Sequence, residues 1–209
     1  MHNKIPKPVS ARLGMYYRQL QDLHLRGTEN ISSSALGELV DLKPSQIRKD
    51  LSYFGGFGKR GTGYSVDGLL ETLEKILGIN RSWDVLIVGA GKLGCALANF
   101  PGLQEDGFFV RAIVDRNPEK IGTLLEHGLE IQDVANLEQL IEEHRIEVVV
   151  LAVPPVSAQS ILNRLPVPQV KGVLNFSTCL LTFPEGLEVE NVNISLSFKS
   201  LSFKIVHTG

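Results

Sequence analysis

Apolar residues recur every three to four positions from Val9 through Leu13, Tyr16, Tyr17, Leu20 and Leu23. That spacing predicts an amphipathic helix over 9–25, ended by Gly27. Ser32-Ser33-Ser34 then offers a cap for a short helix carrying Leu36, Leu39 and Val40. A tight turn, Asp41-Leu42-Lys43, leads to Pro44, which suits the first position of a further helix because its missing N–H is not needed there. This helix runs to about Phe54 and stops at Gly55-Gly56. Helix, short helix, tight turn and helix form the layout of a helix-turn-helix. Residues 57–66 then predict two short strands around a glycine-rich tip, a wing, and Leu69, Leu70, Leu73, Ile76 and Leu77 predict another helix over 67–77.

From Trp83 the period changes. Short apolar runs at 85–88, 109–114, 148–152 and 173–176 predict buried strands, with a weaker one near 129–131. They alternate with helices after the first strand, at 137–143 and at 156–165, and this βαβ order indicates an open parallel sheet. The tail at 194–206 is ambiguous. Ile194, Phe198, Leu201 and Ile205 fit a helix, whereas Leu201, Phe203 and Ile205 alternate like a strand. No internal repeat is present. The expected organisation is a helix-turn-helix unit over 1–80, a parallel-sheet unit over 81–192 and a terminal segment over 193–209.

Two constellations carry chemistry. In the helix from Pro44, Ile47, Leu51 and Phe54 form the apolar stripe, Ser45, Lys49 and Ser52 face away from it, and Gln46, Arg48 and Tyr53 flank it. Ser, Gln, Lys and Arg on one face offer hydrogen-bond donors to phosphates and base edges. Asp50 falls near the stripe, so it is expected to orient a neighbouring basic residue. The wing tip adds Lys59 and Arg60, set between Gly58 and Gly61, where glycine lets backbone approach a groove closely.

The second constellation is Gly89-Ala90-Gly91-Lys92-Leu93-Gly94, between a strand and a helix, with Asp115 ending the next strand 21 residues beyond Gly94. This is the context of a dinucleotide fingerprint. Gly89 permits the turn, Gly91 lets backbone N–H groups near a pyrophosphate, and Gly94 lets helix and strand pack. Asp115 would accept hydrogen bonds from the adenosine ribose and repel a 2′-phosphate, which favours NAD(H). Arg116 would lie against the adenine. The loops Val153-Pro154-Pro155 and Asn175-Phe176-Ser177 should close the site.

Composition adjusts this picture little. Hydrophobic content of 43% supports packed cores across the 209 residues. Residues 1–80 carry 11 Lys+Arg and 8 Asp+Glu, and residues 81–209 carry 10 and 15, so the two halves differ in sign. Cys95 and Cys179 build neither a disulfide framework nor a metal site. Cys95 reads as a small residue in helix–sheet packing. No apolar run is long enough for a membrane span, and the N-terminal residues lack a signal-peptide core, so a cytoplasmic location is expected. Catalysis is not expected either. The five histidines are scattered, no Tyr-x-x-x-Lys pair follows the fingerprint, and no segment is left for a substrate domain. The cofactor then reads as a ligand sensed by the other domain. An NAD-dependent oxidoreductase and a CoA- or nucleotide-binding regulatory module stay open as alternatives.

These residues together resemble the redox-sensing transcriptional repressors of the Rex family over nearly the whole chain. The matching stretches are 5–8, 12–17, 31–33, 46–64, 89–94, 120–122, 152–154 with Ala158-Gln159, and Gly172 to Phe176. The resemblance implies a winged helix-turn-helix domain, a Rossmann-like domain and a homodimer on palindromic double-stranded operator DNA, released by NADH, with NAD+ opposing release. It implies that the tail is a helix swapped between subunits, and that Arg48, Lys49, Lys59, Arg60 and Tyr64 contact DNA. The chain departs from the family at three positions: Phe100 stands where a Tyr is usual, Asn193 where an Asp is usual, and Thr178 where a Pro is usual. In the family that Tyr and Asp help link cofactor state to domain rotation, so their joint loss reads as a coupled replacement.

Overall fold

A computed structural model describes residues 7–55 and 63–207. The chain divides into two compact units, Met1–Arg81 and Ser82–Gly209.

In the first unit, α1 (Lys7–Leu25) is followed by β1 (Asn30–Ile31), α2 (Ser33–Val40), α3 (Pro44–Ser52), β2 (Tyr64–Ser65) and α4 (Val66–Leu77). Ser32 caps α2, its Oγ accepting from Ala35 N at 3.0 Å. Asp41 ends that helix in the left-handed conformation, and Leu42 N donates to Gly37 O at 2.9 Å. A side chain at Gly37 would stand 2.4 Å from the Leu42 carbonyl oxygen, so the tight turn requires glycine there. Pro44 opens α3 as its spacing predicts. Val9, Leu13, Tyr16 and Leu20 of α1 pack on Leu36, Ile47, Leu51 and the buried face of α4. The return strand of the expected wing pairs antiparallel with β1, Ile31 opposite Tyr64. The rest of the expected wing, including its tip with Lys59, Arg60 and Gly61, lies outside the described residues.

In the second unit, β3 (Trp83–Val88), α5 (Lys92–Ala98), α6 (Pro101–Glu105), β4 (Phe108–Asp115) and β5 (Ile131–Asp133) precede α7 (Leu137–Glu143). Then come β6 (Val148–Leu151), α8 (Pro155–Leu162), β7 (Gly172–Asn175), β8 (Glu188–Asn191) and α9 (Ile194–His207). The sheet is parallel in the order β5-β4-β3-β6-β7-β8. Its strand order reverses between β3 and β6, which opens a crevice at their carboxyl ends. Residues of β3 alternate between two cores. Leu86 and Val88 join α7 and α8, and Val85 and Ile87 face the side of α5. Such burial on both faces explains the unbroken apolar run. Strand β8 was not anticipated, because Glu-Val-Glu-Asn at a sheet edge gives no apolar signal. The ambiguous tail is helical, and its apolar side chains from Ile194 to Val206 are exposed in the single chain. Among the described residues no helix is long and apolar enough to cross a membrane.

Candidate nucleic-acid interface and nucleotide site

The exposed face of α3 carries Ser45, Arg48, Lys49 and Ser52. Two of these are held in place: Arg48 Nη1 donates to Ser33 Oγ of α2 at 2.8 Å, and Ser52 Oγ donates to the Lys49 carbonyl at 2.7 Å. Beneath this face lies Asp50, a carboxylate with 0% exposure. Arg12 of α1 grips it twice, Nε to Oδ2 at 2.6 Å and Nη2 to Oδ1 at 2.8 Å. Tyr16 donates its hydroxyl to Oδ2 at 2.8 Å and Gln46 its Nε2 to Oδ1 at 2.7 Å. Burial pushes the Asp50 carboxyl up, but the bonds from Arg12, Tyr16 and Gln46 outweigh it and hold the group below the usual range. Burial and the bond to Asp50 push the Tyr16 phenol up. Asp50 thus orients a basic residue as its place near the stripe suggests, although the residue is Arg12, on another helix.

Tyr64, expected at the DNA surface, is instead 8% exposed and packed in the core of the first unit. The reason is the β1–β2 pairing, which turns alternate side chains of β2 inward. Burial pushes its phenol up, while the nearby Arg48 charge pulls it back.

In the second unit the glycine loop has the predicted geometry. Gly89 takes φ +106°, and a side chain there would stand 2.4 Å from the Ala152 carbonyl oxygen. A side chain at Gly94 would stand 1.9 Å from the Gly89 carbonyl oxygen. At Gly91, which opens α5, an added carbon would meet nothing within 4 Å. The first and third glycines are therefore required by packing, whereas the second borders open space. Asp115 ends β4 and closes the loop: Ala90 N donates to Oδ2 at 2.8 Å, Asn117 N to Oδ1 at 2.9 Å and Lys120 Nζ to Oδ2 at 3.2 Å. Burial raises its carboxyl, and these three donors pull it below the usual range.

A cleft of about 670 Å³ opens over this loop, a size common for small-molecule sites. Of the residues expected at a cofactor, Gly89, Gly91, Lys92, Leu93, Asp115, Arg116, Val153 and Pro154 line this cleft, and Ala90 and Gly94 lie behind it in packing. Asn117, Lys120, Ser157 and Ser160 join them without having been anticipated. Lys120 had a signal, five residues after the acidic position; Ser157 had none. Arg116 Nη1 reaches Ser157 Oγ at 3.4 Å. Asn175 and Phe176 do not line the cleft. Asn175 is 1% exposed, donating to Asn191 Oδ1 of β8 at 2.8 Å and accepting from Ser177 N at 2.9 Å. It ties the loop after β7 to the sheet edge, and Phe176 packs on the core beside β3. The departure of Asn175 follows from β8, which supplies it a polar partner inside the fold, and that of Phe176 from apolar packing beside β3.

The geometry agrees with relationships to known proteins. Residues 4–52 match the family described as "Putative DNA-binding protein N-terminus", and residues 80–179 match the CoA binding domain family. The chain is 47% identical to redox-sensing transcriptional repressor Rex 1 of Thermotoga maritima, over 99% of this chain and 98% of that one. It is 41% identical to the Rex repressor of Clostridioides difficile, over 97% and 96%. Among solved structures, RSP, a Rex-family repressor, in complex with β-NAD+ and operator DNA superposes with a TM-score of 0.89 at 36% identity, over 96% of this chain and 92% of that one. RSP with β-NADH superposes with a TM-score of 0.87 at 34% identity, over 97% and 95%. Joined to a clamped helix-turn-helix and a glycine-loop cleft in one chain, these likenesses show that the protein belongs to the Rex family of redox-sensing transcriptional repressors.

Proposed function

We propose that the chain binds palindromic operator DNA as a homodimer, that NADH releases it, and that NAD+ opposes release. The observation that carries this reading is the pairing, in one chain, of a basic helix anchored through Asp50 with a cleft shaped by Gly89, Gly91 and Gly94. The open space at Gly91 leaves room for a pyrophosphate beside the first turn of α5, and Asp115, which lines the cleft, would accept from the hydroxyls of an adenosine ribose. When bound, the nicotinamide distinguishes the two redox states by one positive charge. Val153 and Pro154 give that end of the cleft an apolar wall, which favours the neutral reduced ring. A ligand releases DNA only if it binds the DNA-incompetent arrangement more tightly. Dimerisation through α9 accounts for its exposed apolar side chains. Two symmetry-related α3 helices would then read half-sites one helical turn, or a multiple of it, apart. Lys59, Arg60 and Gly61 would add wing contacts. The protein serves as a regulator, with the dinucleotide as signal, and an intracellular site of action goes with that role.

The match to the CoA binding domain family favours a second reading, a CoA-responsive module. The Asp115 carboxylate argues against it, because it would repel a phosphate on the adenosine ribose. The test is a band shift on a palindromic duplex titrated separately with NADH, NAD+ and CoA. Release by NADH with retention in NAD+ is expected. Release by CoA alone, or by none of the three, would refute the redox reading.

A further inference from the structure

The carboxylate under α3 does more than anchor the helix. Gln46 lies in the first turn of α3, half-buried, next to exposed Ser45 and one turn before exposed Lys49. Its Nε2 donates to Asp50 Oδ1 at 2.7 Å, while Arg12 and Tyr16 occupy the carboxylate from other sides. An ionised carboxylate only accepts hydrogen bonds. The amide nitrogen, and not the amide oxygen, must therefore face Asp50, so the orientation of the glutamine is fixed. One N–H is engaged there. With the N–H anti to the carbonyl engaged there, the carbonyl oxygen and the syn N–H are left side by side on the other edge of the amide.

We infer that Gln46 reads an adenine in each half-site, with Asp50 as the positioning residue that fixes its amide. This rests on the reading that α3 enters the major groove, where the first residues of a recognition helix meet base edges. Adenine offers the N6 donor beside the N7 acceptor, which matches an oxygen beside an N–H. Guanine offers two acceptors, O6 and N7, so the amide oxygen would face O6 in repulsion. Cytosine and thymine present a single donor or acceptor there, so neither makes both bonds. Asp50 reaches no base. It acts through Gln46, and Arg12 and Tyr16 hold it in place.

The test is selection of a random-sequence duplex library by the full-length chain, wild type and variants, with sequencing of the bound fraction. Wild type is expected to enrich a palindrome. Gln46→Ala should enrich the same palindrome with one base pair per half-site relaxed, and that pair should be A·T in the wild-type site. The wild-type preference there should be roughly tenfold to a hundredfold and should fall to near none. A relaxed pair that is G·C, or no relaxed pair, overturns the inference and leaves the repressor reading standing. Enrichment of no palindrome by wild type overturns both. Asp50→Asn places an N–H where Gln46 now donates, so its preference should change at the same pair while NADH binding holds. An unchanged preference removes Asp50 from the scheme. Should Asp50→Asn not fold, side-chain amide exchange in the wild type decides the same point: Gln46 Nε2 protons exchanging as freely as a solvent-exposed glutamine would overturn it.

Discussion

Replacing Arg12 by methionine keeps the apolar stem against α1's neighbours and removes the charge that pairs with Asp50. Asp50 is fully buried, so the variant leaves a carboxylate in the core with donors from Tyr16 and Gln46 alone. Breaking a buried ion pair from one side costs ~3–5 kcal/mol. Arg12 keeps 23% of its side-chain surface in solvent, which screens the pair and places the cost at the lower end, about 3 kcal/mol. For a unit of this size, ~4–8 °C is lost per kcal/mol, so its transition should fall by roughly 12–24 °C. The pH dependence follows from the same group. Its carboxyl is held below the ordinary value when folded, so its contribution is present above ~4 and is lost as pH falls through the folded value. Without Arg12 the carboxyl titrates higher, and the gap between wild type and variant should narrow as pH falls below about 4. Calorimetry of the full chain at pH 7 and at pH 3.5, with amide exchange assigning the α1–α3 transition, measures both. Arg12→Met combined with Asp50→Asn should regain much of the loss, because no unpaired charge remains. A transition within about 2 °C of wild type at pH 7, or a gap that ignores pH, would refute this account.

Four further outcomes separate the sites. Gly94→Ala drives a carbon to 1.9 Å from a backbone oxygen and should destabilise the second unit by at least ~1–3 kcal/mol, read by denaturant unfolding. Gly91→Ala meets nothing in the fold, so stability should hold within ~1 kcal/mol while calorimetry shows a loss of NADH affinity, the methyl lying where a pyrophosphate would sit. Asp115→Ala should weaken NADH binding and, by leaving Ala90 N–H without its acceptor, cost ~1–3 kcal/mol of stability, while operator binding in a band shift stays near wild type. Lys49→Ala should weaken operator binding and lower the salt slope by about one, with NADH binding unchanged by calorimetry.

What was legible in the sequence is what short-range chemistry decides. Ser32 and Pro44 mark helix starts because capping and the missing N–H act within a single turn. The glycine loop and Asp115 are legible because backbone approach requires glycine whatever the surroundings. Long-range partners left no such mark. Nothing near Asp50 singles out Arg12, 38 residues away, although the apolar stripe already placed the acid inward. Tyr64 is expected as a DNA contact by resemblance alone, and the pairing with Asn30–Ile31 that buries it lies more than thirty residues upstream. Asn175 carries no mark of β8, whose Asn191 accepts from its amide and holds it away from the cleft.

The departures at Phe100 and Asn193 acquire a physical meaning from the same distinction. Asn193 Oδ1 accepts from Leu196 N at 3.3 Å at the start of α9, a role that Asp fills about equally well. The change from Asp therefore keeps the helix start and removes only the charge. Phe100 precedes Pro101 at the opening of α6 and is 57% exposed, its ring lying where a side chain at Gly102 would come within 2.8 Å. Ring and glycine fit each other without a hydroxyl. Both positions thus meet their local needs within the second unit, Asn193 without a charge and Phe100 without a hydroxyl.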